Sequence, residues 1–279
     1  HSFPVNQTID LYTGMGPLNG SHYTNYPPIN QCCFLIAALF ANKSIMGAVL
    51  VLRILIIFAD IGILYFGKKI SKHLNLPAHT IFWYLLNPFI IIEMTGNLHF
   101  EPVMLFFLTW SIHALFKNRW ALSAVLIACS ISVKLIPLLL LPLFFQWFVK
   151  REHSIKKGLL KLGAFYAITA TVTIALFLPF YSNTFIQNYS NSIGLWFRDF
   201  EFNASFYYLF REIGYLFRGY NEIAIIGKTL PILTILYIGY SAFFRKNTTP
   251  KQLITALLFG LSFYYFTTTT MHPWYLASV

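Results

Sequence analysis

The 279-residue chain is 57% hydrophobic and 19% aromatic, with only 10% charged side chains. That composition excludes an ordinary soluble domain, which carries about 25% charged residues, and makes the chain an integral membrane protein. Its formal charge of +11 would suit nucleic acid in a soluble protein. Here Lys and Arg crowd into alternate loops between apolar runs, where contact with anionic membrane lipids explains them and nucleic-acid binding is excluded.

Residues 1–30, rich in Gly, Asn, Thr and Pro, read as an outer loop. Residues 31–42 are apolar but too short to cross, which predicts an interfacial or re-entrant helix opened by Pro27 and Pro28. From 45 to 67 the chain crosses inward and meets Lys68, Lys69 and Lys72. It returns through about 78–95, turns at Thr95, Gly96 and Asn97, and re-enters through 99–116 to Lys117 and Arg119. The runs 120–134 and 135–149 are short for full spans, as expected of Pro-broken helices that border a cavity. After Lys150, Arg151, Lys156, Lys157 and Lys161, residues 159–181 go out and 182–222 form a long outer loop. Residues 223–243 come in to Arg245, Lys246 and Lys251, and 252–271 go out to His272.

The positive-inside rule makes the basic loops cytoplasmic and gathers Asp10, Glu101, Asp199, Glu201, Glu212 and Glu222 on the opposite side. The expected fold is all-α, a polytopic membrane helical bundle forming a single domain over 1–279, with short re-entrant or interfacial helices and outer-face loops. The start at His1 and the end at Val279, directly after an apolar run, suggest a piece truncated at both ends. Cys32, Cys33 and Cys129 imply neither a disulfide framework nor a thiolate metal site.

Several short motifs carry candidate chemistry. Tyr26-Pro27-Pro28 either opens a helix or marks the edge of a site. Asn97, His99 and Glu101 bring an amide, an imidazole and a carboxylate to one turn at the membrane boundary, where ionisable groups must pair or line a wet cavity. A helix cap is the plainer reading of Asn97 or Glu101. Lys134 stands among few cations on the outer side; it either snorkels to the interface or supplies a point charge to a phosphate oxygen. Arg53 and Asp60 share a helix face and read as structural. In 196–218, aromatics alternate with Arg198, Glu201, Arg211 and Glu212, which suits either a sugar ring or an amphipathic helix on the head groups. His272 precedes Trp274 and Tyr275, which are ordinary interfacial anchors, and is itself placed to bond a phosphate or a sugar hydroxyl.

In this order, Tyr26-Pro27-Pro28, Asn87-Pro88, Gly96-Asn97, Lys134-Leu135-Ile136-Pro137 and His272-Pro273-Trp274-Tyr275 resemble the GT-C superfamily of membrane glycosyltransferases. The likeness is strongest between Trp83 and Leu143. It is greatest to the mannosyltransferase branch, with the catalytic subunit of GPI mannosyltransferase I and bacterial, Bacteroidetes-type polyprenol-phosphate-mannose-dependent enzymes.

The resemblance implies an inverting transfer of a hexose, mannose in that branch, from a polyprenyl-phosphate-sugar donor to a lipid or glycan acceptor. The site would face the periplasm of a bacterial inner membrane. A divalent cation and an accessory membrane subunit are both compatible with it. The family's base is an acid in the first outer loop, so Asp10 or an acid before His1 is expected to serve. Lys134, with His272 or Arg198, would hold the phosphate, while Tyr26, Asn97, His99, Glu101, Glu201, Trp274 and Tyr275 would line the substrate pocket. A secondary transporter or lipid flippase is the main rival, and it would be expected to show paired repeats with matching broken helices.

Overall fold

The computed structural model describes residues 8–21, 23–198 and 200–279, and leaves out the side chains of Thr8, Asp10, Leu18, Asn19 and residues 195–198. Within them the chain is α1 (Thr8–Gly20), α2 (Pro28–Phe40), α3 (Ile45–His73), α4 (Phe82–Leu85), α5 (Pro88–Ile90), α6 (Glu101–Phe116) and α7 (Trp120–Ile131). There follow α8 (Phe145–Val149), α9 (Ile155–Phe177), α10 (Asn183–Arg198), α11 (Phe206–Arg218), α12 (Ile223–Phe243) and α13 (Pro250–Thr267). Short 3-10 turns occupy Ala78–Ile81, Ile136–Phe144, Leu178–Phe180 and Pro273–Ser278, and a π-helix covers Ile91–Gly96. The protein is all-α; among the described residues the β pairing is an isolated bridge between Phe202 and Thr270.

Among the described residues, three helical stretches, Ile45–His73, Ile155–Phe180 and Ile223–Phe243, are long and apolar enough to cross a membrane. Pro88–Gly96 and Glu101–Phe116 form a fourth candidate, bent by 111° at its break. At a rise of about 1.5 Å per residue, the 29-residue α3 outreaches a hydrocarbon core of ~30 Å, so Lys68, Lys69 and Lys72 ride in its last turns. Its outward face, with Leu50, Ile54, Phe58 and Ile61, is exposed and apolar, as lipid contact requires.

Three sequence expectations are corrected in detail. Residues within 1–30 are not all loop: 8–20 are helical, kinked at Gly16 (φ 75°) before Pro17. The segment 78–95 is not one helix but a chain of short pieces. Pro77 and Pro88 lack the N–H that would continue a helix, and the Asn87 side chain accepts the Phe89 N–H at 3.0 Å, starting a new one. The stretch 182–222 folds as the amphipathic pair α10 and α11 rather than as a loop.

Small hydroxyl residues close the central hairpin. The Ser111 hydroxyl donates to the Ser123 carbonyl at 2.8 Å, and the Ser130 hydroxyl to the Met104 carbonyl at 2.8 Å, drawing α6 onto α7. Gly62 lets Phe106 of α6 lie against α3, where a Cβ would come within 2.2 Å of the ring. On the other side, Phe144, Phe165, Leu140, Leu143 and Ile127 form a closed core with Tyr265 of α13. Thr234 and Thr267 join α12 to α13 through their hydroxyls at 2.8 Å.

The two legs of this hairpin run in and back. Glu101 opens α6, and the turn after α7 returns the chain to Lys134 at the same level.

Candidate active site

Glu101 is 1% exposed, and one of its carboxylate oxygens accepts a hydrogen bond from the Lys134 ammonium. The other oxygen is buried with no hydrogen-bond partner among the described residues. A buried carboxylate is tolerable only against a charge, so the pair holds Lys134 at the mouth of the hairpin. One ammonium N–H is used, and two remain for a ligand. Lys134 also lies 5.1 Å from the centre of the Tyr275 ring.

Above the pair stands an aromatic stack. The His99 ring lies 4.0 Å from Trp274 at 16°, and the His272 ring lies 4.3 Å from the same indole at 4°. Trp274 is thus held between two imidazoles, and Tyr275 meets His272 edge-on at 5.4 Å. Burial, with Lys134 and His99 alongside, lowers the His272 pKa although Glu101 opposes the shift, so the ring is neutral near pH 7. The stack continues to Phe202, 5.0 Å from His272. Backbone bonds fix that neighbour: Phe202 donates to the Thr269 carbonyl at 3.0 Å and accepts from Met271 at 2.8 Å.

The turn that carries His99 is held from α3. Arg53 donates to the carbonyls of Thr95 at 3.0 Å and Gly96 at 3.2 Å, and Asp60 accepts from the Thr95 hydroxyl at 3.3 Å. Asn97 donates to Glu93 at 3.3 Å, and His99 approaches the same carboxylate at 3.8 Å. From the other direction, the Ile29 N–H donates to the Ser132 carbonyl at 2.8 Å, docking the start of α2 on the Lys134 turn. Tyr26 precedes that contact; its hydroxyl pKa is raised by burial and, less, by the charge of Glu101.

The structure therefore brings Tyr26, His99, Glu101, Lys134, His272, Trp274 and Tyr275 to one end of the bundle, with Asn97 bonded to Glu93 at its rim. Glu201 is engaged elsewhere, by Arg211 at 2.8 Å and Asn221 at 3.1 Å, in a network that braces α11. Asp10 and Arg198 fall within α1 and α10, but their side chains lie outside the described ones. Among the described residues, no three His, Cys, Asp or Glu side chains converge as metal ligands.

Sequence reasoning gave no part in the site to Asn30, wholly buried at the α2 contact with its amide atoms unpartnered among the described residues, or to Phe202. An Asn in the first turn of an apolar helix was the available signal for the first. Nothing in the sequence pointed to the backbone pairing that brings Phe202 in.

An all-α membrane protein with a buried ion pair beside a histidine and tryptophan stack has the polar and aromatic groups to bind a charged, ring-bearing molecule. Residues 13–151 match the family described as alpha-(1->6)-mannopyranosyltransferase, N-terminal domain. Over 180 residues the chain is 23% identical to alpha-(1->6)-mannopyranosyltransferase A of Mycobacterium tuberculosis (strain ATCC 25618 / H37Rv). That stretch covers 64% of this chain and 34% of the relative, so the match spans about a third of the relative's length. No solved structure matches the chain. These similarities to mannosyltransferases support a glycosyltransferase role.

Proposed function

We propose that this protein is a membrane glycosyltransferase of GT-C type that moves a hexose, mannose by similarity, from a polyprenyl-phosphate-sugar to a lipid or glycan acceptor on the extracytoplasmic face. The observation that carries the reading is Lys134: an ammonium fixed by Glu101 beneath the His99, Trp274 and His272 rings, in a chain similar to mannosyltransferases. In the transfer, a base takes the proton of the acceptor hydroxyl and the freed oxygen attacks the anomeric carbon. The bond from that carbon to the phosphate oxygen breaks, and its electron pair leaves with the phosphate. Lys134 offers its two remaining N–H groups to the charge that develops there, a contribution worth about a hundredfold or more in rate. The indole of Trp274 offers a flat apolar edge to the sugar, with the two imidazoles keeping it in place. Asp10, or an acid outside this sequence, is the proposed base, and Glu101 is the positioning residue for Lys134.

The test uses the full-length protein in membranes with a labelled polyprenyl-phosphate mannose and a glycan acceptor. Lys134→Ala is expected to abolish transfer while the protein stays in the membrane, with Lys134→Arg retaining part of it. Unchanged turnover in Lys134→Ala would defeat the assignment. Counterflow of an intact substrate across sealed vesicles, without sugar transfer, would instead favour a transporter.

A further inference from the structure

At the other end of α6 lies a second site that the transfer reaction does not use. A cavity of about 390 Å³ is lined by Lys69 of α3, Trp110 and His113 of α6, Lys117 and Arg119 of the connecting turn, and Leu122 of α7. Glu101 and Lys117 are separated by the whole of α6, on the order of 20 Å at the helical rise, so this cavity is distinct from the Lys134 site. Three cations converge on it, and none of them makes an ion pair with a carboxylate among the described residues. Lys69 donates to the Tyr65 hydroxyl at 2.6 Å and keeps two N–H groups. His113 Nδ1 is buried with no hydrogen-bond partner among the described residues. The first turn of α7 begins here with Arg119 as its N-cap and no side-chain cap, so its free N–H groups and the positive end of its dipole add to the field.

One flank is apolar: Trp110 stacks on Phe66 at 5.1 Å, and Leu122 completes the wall. Unpaired cations from one helix and a turn, set around a volume the size of a head group and opening beside the basic end of α3, describe an anion site with an apolar edge.

We propose that this cavity binds the phosphate group of an anionic membrane phospholipid, with the lipid stem against Trp110 and Leu122. The occupant chemistry is a phosphodiester, and the membrane is its source.

Purified full-length protein in zwitterionic detergent, exposed to equal amounts of phosphatidylglycerol and phosphatidylcholine, should retain phosphatidylglycerol at least tenfold in excess by native mass spectrometry. Lys117→Ala with Arg119→Ala should weaken retention about 25-fold, each cation near an anionic head group contributing about fivefold. Both side chains are exposed, so the variant is expected to fold. Lys156→Ala with Lys157→Ala, an equal loss of charge in another basic segment, should leave retention unchanged. Displacement by millimolar inorganic phosphate would keep the anion site and reassign its source to free phosphate. Equal retention of the two lipids, or equal loss in the two double variants, would overturn the proposal.

Discussion

Removing the partner of a buried charge is the most direct way to test how the Lys134 site is built. Glu101 is 1% exposed and the Lys134 side chain 12%, so neither charge is solvated in place of the other. At a contact distance of ~3 Å and an effective dielectric of ~20, their attraction is about 5 kcal/mol, much of which offsets desolvation. Lys134→Met should therefore destabilise the protein by about 3–5 kcal/mol, because it strands the carboxylate. Lys134→Met with Glu101→Gln removes both charges and should recover ~3 kcal/mol of that loss, leaving a deficit of ~1 kcal/mol. For a chain of this size the single variant should melt roughly 10 °C lower, and the double only a few degrees lower, in thermal scans of detergent-purified protein. The double variant should nonetheless be inactive, since stability returns without the ammonium proposed to hold phosphate. A double variant as unstable as Lys134→Met would show that the two side chains are not coupled and would refute the site as described.

The surrounding contacts give further expectations. Arg53→Ala frees the Thr95 and Gly96 carbonyls, and should cost about 2 kcal/mol and lower transfer by displacing His99, whereas Arg53→Lys should recover only part of both. Trp274→Ala removes the surface shared by the two imidazoles and should reduce transfer by one to two orders of magnitude, with Trp274→Phe intermediate, read as kcat/KM. Burial pushes Glu201 up, but hydrogen bonds with Tyr207, Arg211 and Asn221 outweigh it and hold its pKa below the usual carboxylate range. A depressed folded pKa stabilises above the unfolded value and loses that contribution as pH falls through the folded one, so the α11 region should loosen below about pH 4. Glu201→Gln should remove this pH dependence, as followed by proteolysis or hydrogen exchange across 201–222.

Much of this architecture is legible in the sequence because its strongest signals are local. Apolar runs and the cations that close them mark α3, α9 and α12. Lys134 stands out as a cation on the outer side, where few lie, and His272 as the unusual member beside Trp274 and Tyr275. The pairing of Glu101 with Lys134, 33 residues apart, was not legible, because it depends on how α6 packs against α7. Nor was the break-up of 78–95, where hydropathy continues smoothly while proline and the Asn87 cap interrupt the backbone. In α11 the apolar residues Leu209, Phe210, Ile213, Leu216 and Phe217 are exposed along one face. Of the two meanings that 196–218 allowed, that exposure favours a helix resting on the head groups.

The serine-closed hairpin also sets which lengths of this chain are free to vary. An α-helix turns about 100° per residue, so inserting one residue into α6 or α7 would swing Glu101, or the turn that carries Lys134, by about that angle away from its partner relative to the Ser111, Ser123 and Ser130 contacts. Deletions there should be as damaging as losing the lysine itself. Insertions between Lys150 and Ser154 would leave that alignment intact, so natural variation in length is expected to collect at the basic ends of the bundle and to spare this ruler.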